Sequence, residues 1–130
     1  DGFARYNPVV DVFVSLDTAQ CVALLRGLKP LFQEAYRDLG YPNEDFEAAL
    51  IRAVGELLET PVVEGDIILE KAVRNYAMLD PNLENLSDAQ KHLLRMGPEN
   101  VEAIQRKLRE MAEALGVPAA SLPASRRYST

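Results

Sequence analysis

The sequence predicts an all-α protein, an irregular bundle of about five to six helices. Three observations predict it. Apolar residues recur at three- and four-residue spacing along most of the chain. Capping residues precede these runs, and Gly or Pro follows them. A strand-like pattern is confined to one short stretch near 62–69, where a small β-hairpin competes with a helix.

Asn7-Pro8 predicts the first start, with Asn7 as cap and Pro8 at the first helical position, where its missing N–H costs nothing. Val9, Val12, Phe13 and Leu16 then repeat at helical spacing. Asp17 predicts the next cap. The following apolar stripe runs Cys21, Leu24, Leu25, Leu28, Leu31, Phe32, Ala35, Tyr36, Leu39 without a change of phase. Pro30 interrupts it, and an interior proline removes a hydrogen bond and clashes with the turn before it. The unbroken phase favours one kinked helix from about Thr18 to Leu39, with a division at Gly27 as the alternative. Gly40 ends it in the left-handed conformation before Tyr41-Pro42.

Asn43 is the predicted cap of the next helix, with Glu44 and Asp45 in its first turn. Phe46, Leu50, Ala53, Val54, Leu57 and Leu58 form its apolar face, and Thr60-Pro61 ends it. Gly55 costs such a helix about 1 kcal/mol relative to Ala, which predicts a close helix crossing as compensation. Over residues 62–79, the spacing of Ile68, Ala72, Tyr76 and Leu79 favours a helix capped by Asp66. The hairpin reading pairs Val62-Val63 with Ile67-Leu69. A short helical turn follows Asp80-Pro81.

Ser87-Asp88-Ala89-Gln90 is a capping box. Its helix runs to Met96 and stops at Gly97, and Pro98 opens the last helix at once. Val101, Ile104, Leu108, Met111 and Leu115 form that helix's apolar seam. Outward pairs Glu102–Arg106, Arg106–Glu110 and Arg109–Glu113 contribute a few tenths of a kcal/mol each, roughly. Residues 1–116 read as a single helical domain and 117–130 as a tail or linker, loosely held apart from Val117 and Leu122. The opening Asp1-Gly2, with no initiator Met, reads as a piece of a longer protein.

The formal net charge is -6 and is uneven. Residues 34–70 carry ten acids against Arg37 and Arg52, while residues 71–130 carry seven acids and nine bases. This acidic balance argues against nucleic acid as a partner, because phosphate binding needs a basic footprint. A lone Cys21 excludes an internal disulfide. No apolar run is long enough to span a bilayer.

The chemistry-bearing residues assemble into no catalytic set. His92 is the single histidine, and Cys21 lies on an apolar stripe, so a buried thiol is the reading preferred over a Cys21–His92 dyad. His92 is expected to pair with Asp88 one turn earlier. One Cys and one His are too few for zinc. Neither Glu44/Asp45/Glu47 nor Glu64/Asp66 has the spacing of a calcium loop. Phosphate-cradle and hydrolase-elbow motifs are absent. No catalytic residue, metal ligand or cofactor is therefore assigned. The binding candidates are Tyr36, Tyr41 and Tyr76, which would line a groove if they converge, and Arg95 and Asn100 at the tight corner around Gly97. Glu44, Asp45 and Glu47 form a candidate acidic docking face.

Two segments together carry a resemblance: Leu28 to Pro42 (LKPLFQEAYRDLGYP) and Leu93 to Asn100 (LLRMGPEN), with Val63-Glu64-Gly65 and Asp80-Pro81 between them. They resemble an uncharacterised family of bacterial domains of unknown function, over about Tyr6 to Ala112. Members of that family typically follow an N-terminal membrane anchor and a Pro-rich linker. The resemblance implies an extracytoplasmic domain of a Gram-negative cell envelope, a periplasmic domain of an inner-membrane-anchored protein. It carries over no catalytic residue.

Three functional readings follow. The leading one is a non-enzymatic helical interaction module of the envelope, tethered to the membrane in its full-length form, with a protein or cell-wall partner. The second is a small-ligand-binding domain with a tyrosine-lined pocket. The third is a carboxylate-based hydrolase, which needs two acids buried together in a cleft.

Overall fold

The computed structural model describes residues 2–63 and 86–128. The described residues form an irregular all-α bundle with one small β element, as the apolar periodicity predicts. Its helices are α1 (Asn7–Ser15), α2 (Thr18–Gly27), α3 (Lys29–Asp38), α4 (Phe46–Leu58), α5 (Asp88–Leu94) and α6 (Pro98–Ala114). Short 3-10 turns cover Ala4–Tyr6 and Ala119–Ser121. The long helix α6 is the axis, packing against α1, α2, α4 and α5.

The core lies beside α6. Val62, Leu93 and Val101 form its buried centre, with Leu57, Met96 and Ile104 packed around it. Each such aliphatic side chain contributes about 1.5–3 kcal/mol relative to leaving it in water. The segment after α4 is the deepest part: Leu58, Thr60, Pro61, Val62 and Val63 are almost completely enclosed.

Several local expectations are met. Asp17 caps α2 by accepting from the Gln20 N–H at 2.9 Å. Ser87 and Gln90 form the reciprocal capping box of α5. Gly40 has φ 106° and closes α3, and Gly97 has φ 93° between α5 and α6.

Other expectations are corrected. Asn7 does not cap α1: the helix starts at Asn7 itself after Tyr6, and the Asn7 side chain bonds to Asn100. The predicted single helix from Thr18 to Leu39 is two, α2 and α3, sharing Leu28 (φ -96°, ψ 4°) as their boundary. Pro30 has no N–H for the carbonyl of Arg26, and it sits comfortably in the first turn of a new helix. The apolar stripe keeps its phase across the division because only one residue separates the helices.

The cap of α4 is Asp45 rather than Asn43; its carboxylate accepts from Ala48 N–H at 3.0 Å. The start is displaced by two residues because Phe46 stacks on Phe32, with ring centroids 5.2 Å apart. Gln33 locks that register, donating to Glu44 O and accepting from Phe46 N–H, both at 2.7 Å. Ala53, expected on the buried face, is exposed. Gly55 has no close crossing: a Cβ built there meets nothing within 4 Å.

Val62–Val63 is a strand (β1), but its described partner is Arg127–Tyr128 (β2), paired in parallel, rather than residues 67–69. The rest of the predicted hairpin, the helix over 66–79 and the turn after Asp80 lie outside the described residues. The tail expected to be loosely held after Gly116 returns to the body over residues 117–128. Val62 N–H donates to Arg126 O at 2.7 Å, Arg126 Nε donates to Glu59 O at 3.1 Å, and Arg109 donates to Pro123 O. Glu102 pairs with Arg127 in place of its expected partner Arg106. The physical reason is the end of α4, where the Glu59 carbonyl takes its donor from Arg126 of the tail.

Candidate functional site

The proposed site residues divide into three places. The first is an aromatic cluster where α3 meets the start of α4. Tyr36 stacks on Tyr41 with centroids 4.7 Å apart and meets Phe46 edge-on at 5.9 Å. The Tyr36 hydroxyl donates to Glu44 Oε2 at 2.7 Å, and Arg52 donates to Glu44 Oε1 at 3.1 Å. The hydrogen bond to Glu44, followed by desolvation, holds the Tyr36 hydroxyl above the ordinary tyrosine pKa. The two rings stack on each other, so at this point they make a closed cluster rather than the walls of a groove. Tyr76 lies outside the described residues.

The second place is the acidic group, which is matched by bases from α2, α3 and α4. Asp45 lies 3.5 Å from Lys29; Glu47 lies 3.6 Å from Lys29 and 3.8 Å from Arg26; Glu44 is held by Arg52. These pairs are largely exposed, so each contributes about 0–1 kcal/mol. Their consequence is electrostatic: the cluster offers much less uncompensated negative charge than its sequence suggests. Glu64 and Asp66 lie outside the described residues.

The third place is the Gly97 corner. Asn100 is buried, and its Nδ2 donates to Asn7 Oδ1 at 3.1 Å and to Met96 O at 3.0 Å. Asn100 thus ties the start of α1 to the start of α6. The Phe3 ring covers Gly97 so closely that a Cβ there would lie 2.5 Å from the ring. Arg95 is exposed, with Nη1 3.5 Å from His92 Nδ1. His92 therefore faces Arg95 rather than the expected Asp88. Phe3, Asn7 and Asn100 line a small hollow of about 170 Å³ at this corner.

Sequence reasoning missed a set of side-chain hydrogen bonds around the end of α4. Gln90 donates to Glu56 O at 2.7 Å, and Arg126 donates to Glu59 O. Gln105 donates to Leu57 O at 3.2 Å and Thr60 O at 2.8 Å. The signal for Gln105 is present in the sequence: it continues the stripe Val101, Gln105, Leu108, Ala112, and a polar residue there needs a buried partner. Lys107 was missed as well. It is buried, donates to Leu16 O at the end of α1, and lies 3.6 Å from Glu110. A cation there complements the negative end of a helix.

Among the described residues, no three His, Cys, Asp or Glu side chains stand together so as to hold a metal ion. Every described Asp and Glu is at least partly exposed, so the buried acid pair that a hydrolase reading needs is not found there. No single described helix is long and apolar enough to cross a membrane; Ala4–Ser15 and Thr18–Gly27 reach that length and composition only together, across a 75° bend.

The fold and these sites define a small helical domain in which Gln90, Gln105, Lys107 and Arg126 bond to carbonyls at its own helix ends. The chain belongs to the family described as protein of unknown function, DUF3014, whose model matches residues 1–112. No curated protein and no solved structure matches it.

Proposed function

We propose that the chain is a non-enzymatic helical interaction module of the bacterial cell envelope, tethered to the membrane in its full-length form, with a protein partner. One observation carries the interaction reading. Among the described residues, the exposed large apolar side chains all fall between Val9 and Tyr41. Val9, Val12, Leu24, Leu31 and Leu39 are each more than 60% exposed. Scattered exposed apolar residues are ordinary on a monomer, but their concentration on consecutive helices marks an interaction surface. α1 shows the choice directly: Val10 is buried and Phe13 and Val14 half-buried, whereas Val9 and Val12 point outward. The acidic cluster is the weaker candidate because Arg26, Lys29 and Arg52 already answer it. The envelope location and the anchor are supported by the sequence resemblance of Leu28–Pro42 and Leu93–Asn100 described above.

The test is affinity purification of the full-length protein from its host, with fractionation of the same cells. A Val12→Asp, Leu24→Asp variant is expected to lose its partner, and a Glu44→Lys, Asp45→Lys, Glu47→Lys variant to retain it. Retention of every partner by both variants would remove the interaction reading. Recovery of the protein in the cytoplasmic fraction would remove the envelope location.

A further inference from the structure

A hollow of about 320 Å³ lies between α1, α2, α4 and α6. Phe13, Cys21, Leu25, Leu50, Val54 and Met111 are among its walls, and every described lining side chain is apolar except for the thiol of Cys21. These six residues lie on inward faces yet are only half-buried. The hollow is a cleft partly open to solvent. It leaves apolar space unfilled beside the main axis of the bundle, whereas protein interiors are normally packed to the density of organic crystals. An ordered water needs two to four polar partners, and these walls offer a single weak one. The hollow is roughly twice the size of the ~150 Å³ apolar cavity that takes up benzene.

We infer that this hollow is a binding site for an uncharged hydrocarbon moiety, chain or ring, of about a dozen carbon atoms. The lining sets the chemical class. The described walls hold no ionisable group other than the thiol, and a charge placed among them would lose hydration without gaining a partner there. At the Leu115 end of the hollow, Arg26 donates to Leu115 O at 3.1 Å and lies 3.8 Å from Glu47. This site is separate from the outward face of the interaction reading, and it needs neither an envelope location nor a protein partner.

Cys21, the one cysteine of the chain, supplies a native probe in the wall. The full chain is titrated with aminoanthracene, whose fluorescence rises in apolar surroundings, and then with dodecanol as competitor. Saturable binding is expected, with displacement by dodecanol and at least tenfold weaker displacement by dodecanoate. Either bound probe should slow maleimide labelling of Cys21 at least tenfold. Val54→Phe, which fills the hollow, should weaken binding at least tenfold, and Cys21→Phe provides the same test should Val54→Phe not fold. Absence of saturable binding would overturn the proposal. So would binding that leaves Cys21 labelling unchanged, or binding undiminished in a folded filled variant. A dimer in sedimentation whose Cys21 is closed to maleimide without any probe would assign the hollow to a second copy of the chain and overturn it equally.

Discussion

Gln105 Nε2 donates to the carbonyl of Thr60 at 2.8 Å, joining the middle of α6 to the chain just beyond α4. The same amide reaches Leu57 O at 3.2 Å. With Gln90 on Glu56 O and Arg126 on Glu59 O, donors from three separate segments serve one helix end. The last carbonyls of a helix have no intrahelical partner, and buried they are costly to leave unserved. Around this end lie most of the fully enclosed described residues, among them Leu58, Pro61, Val62 and Val63.

Gln105→Leu keeps the volume and removes the donor, leaving buried carbonyls unpaired. It should destabilise the fold by about 3 kcal/mol, since each unsatisfied buried group costs about 1–3 kcal/mol. Urea unfolding monitored by circular dichroism measures it. A change below about 0.5 kcal/mol would mean that water serves these carbonyls instead.

The tail is a second test of the same feature. A chain ending at Gly116 loses both Arg126 contacts, to Glu59 O and from Val62 N–H. It should fold with stability lower by about 2 kcal/mol, and the Val62 amide should exchange faster with solvent. Unchanged Val62 protection would mean that the tail is dispensable to the core.

Two glycines should respond in opposite directions. Gly97→Ala places a Cβ 2.5 Å from the Phe3 ring at a φ of 93°, so it should cost more than about 2 kcal/mol. Adding Phe3→Ala should relieve only the steric part. Gly55→Ala meets open space within a helix and should stabilise by about 1 kcal/mol. Thermal melts of the variants decide both.

The Tyr36–Glu44 bond gives a pH dependence of known sign. The hydrogen bond to Glu44 raises the folded-state pKa of Tyr36 above that of the unfolded chain. The stabilisation is therefore fully present below about pH 10, where a free tyrosine titrates, and is lost as pH rises through the folded value. Tyr36→Phe should flatten the alkaline limb of the stability–pH profile, and Glu44→Gln should shrink it. Equal limbs in wild type and Tyr36→Phe would assign the loss to other groups.

Much of the architecture is legible in the residues themselves. Asp17, the Ser87–Gln90 box, Gly40 and Gly97 mark helix ends by local chemistry, and local chemistry needs no tertiary partner to act. The helix over Phe46–Leu58 and the long final helix follow from spacing alone, to within a few residues. The candidate site is less legible. Asn100 and Gln105 are recognisable as polar residues on or beside buried faces, but their partners, Asn7 and Thr60, are distant in sequence.

Local residue chemistry is enough to fix the helical class and the main stopping points. Packing decided which side of α1 turns inward: Val9 and Val10 are equally hydrophobic, yet Val10 is buried while Val9 and Val12 of the expected apolar face are exposed. It likewise decided that Asp45 rather than Asn43 caps α4, since stacking of Phe46 on Phe32 sets where that helix begins. Periodicity reports that a face is apolar; which neighbour covers it depends on contacts between residues far apart in the chain.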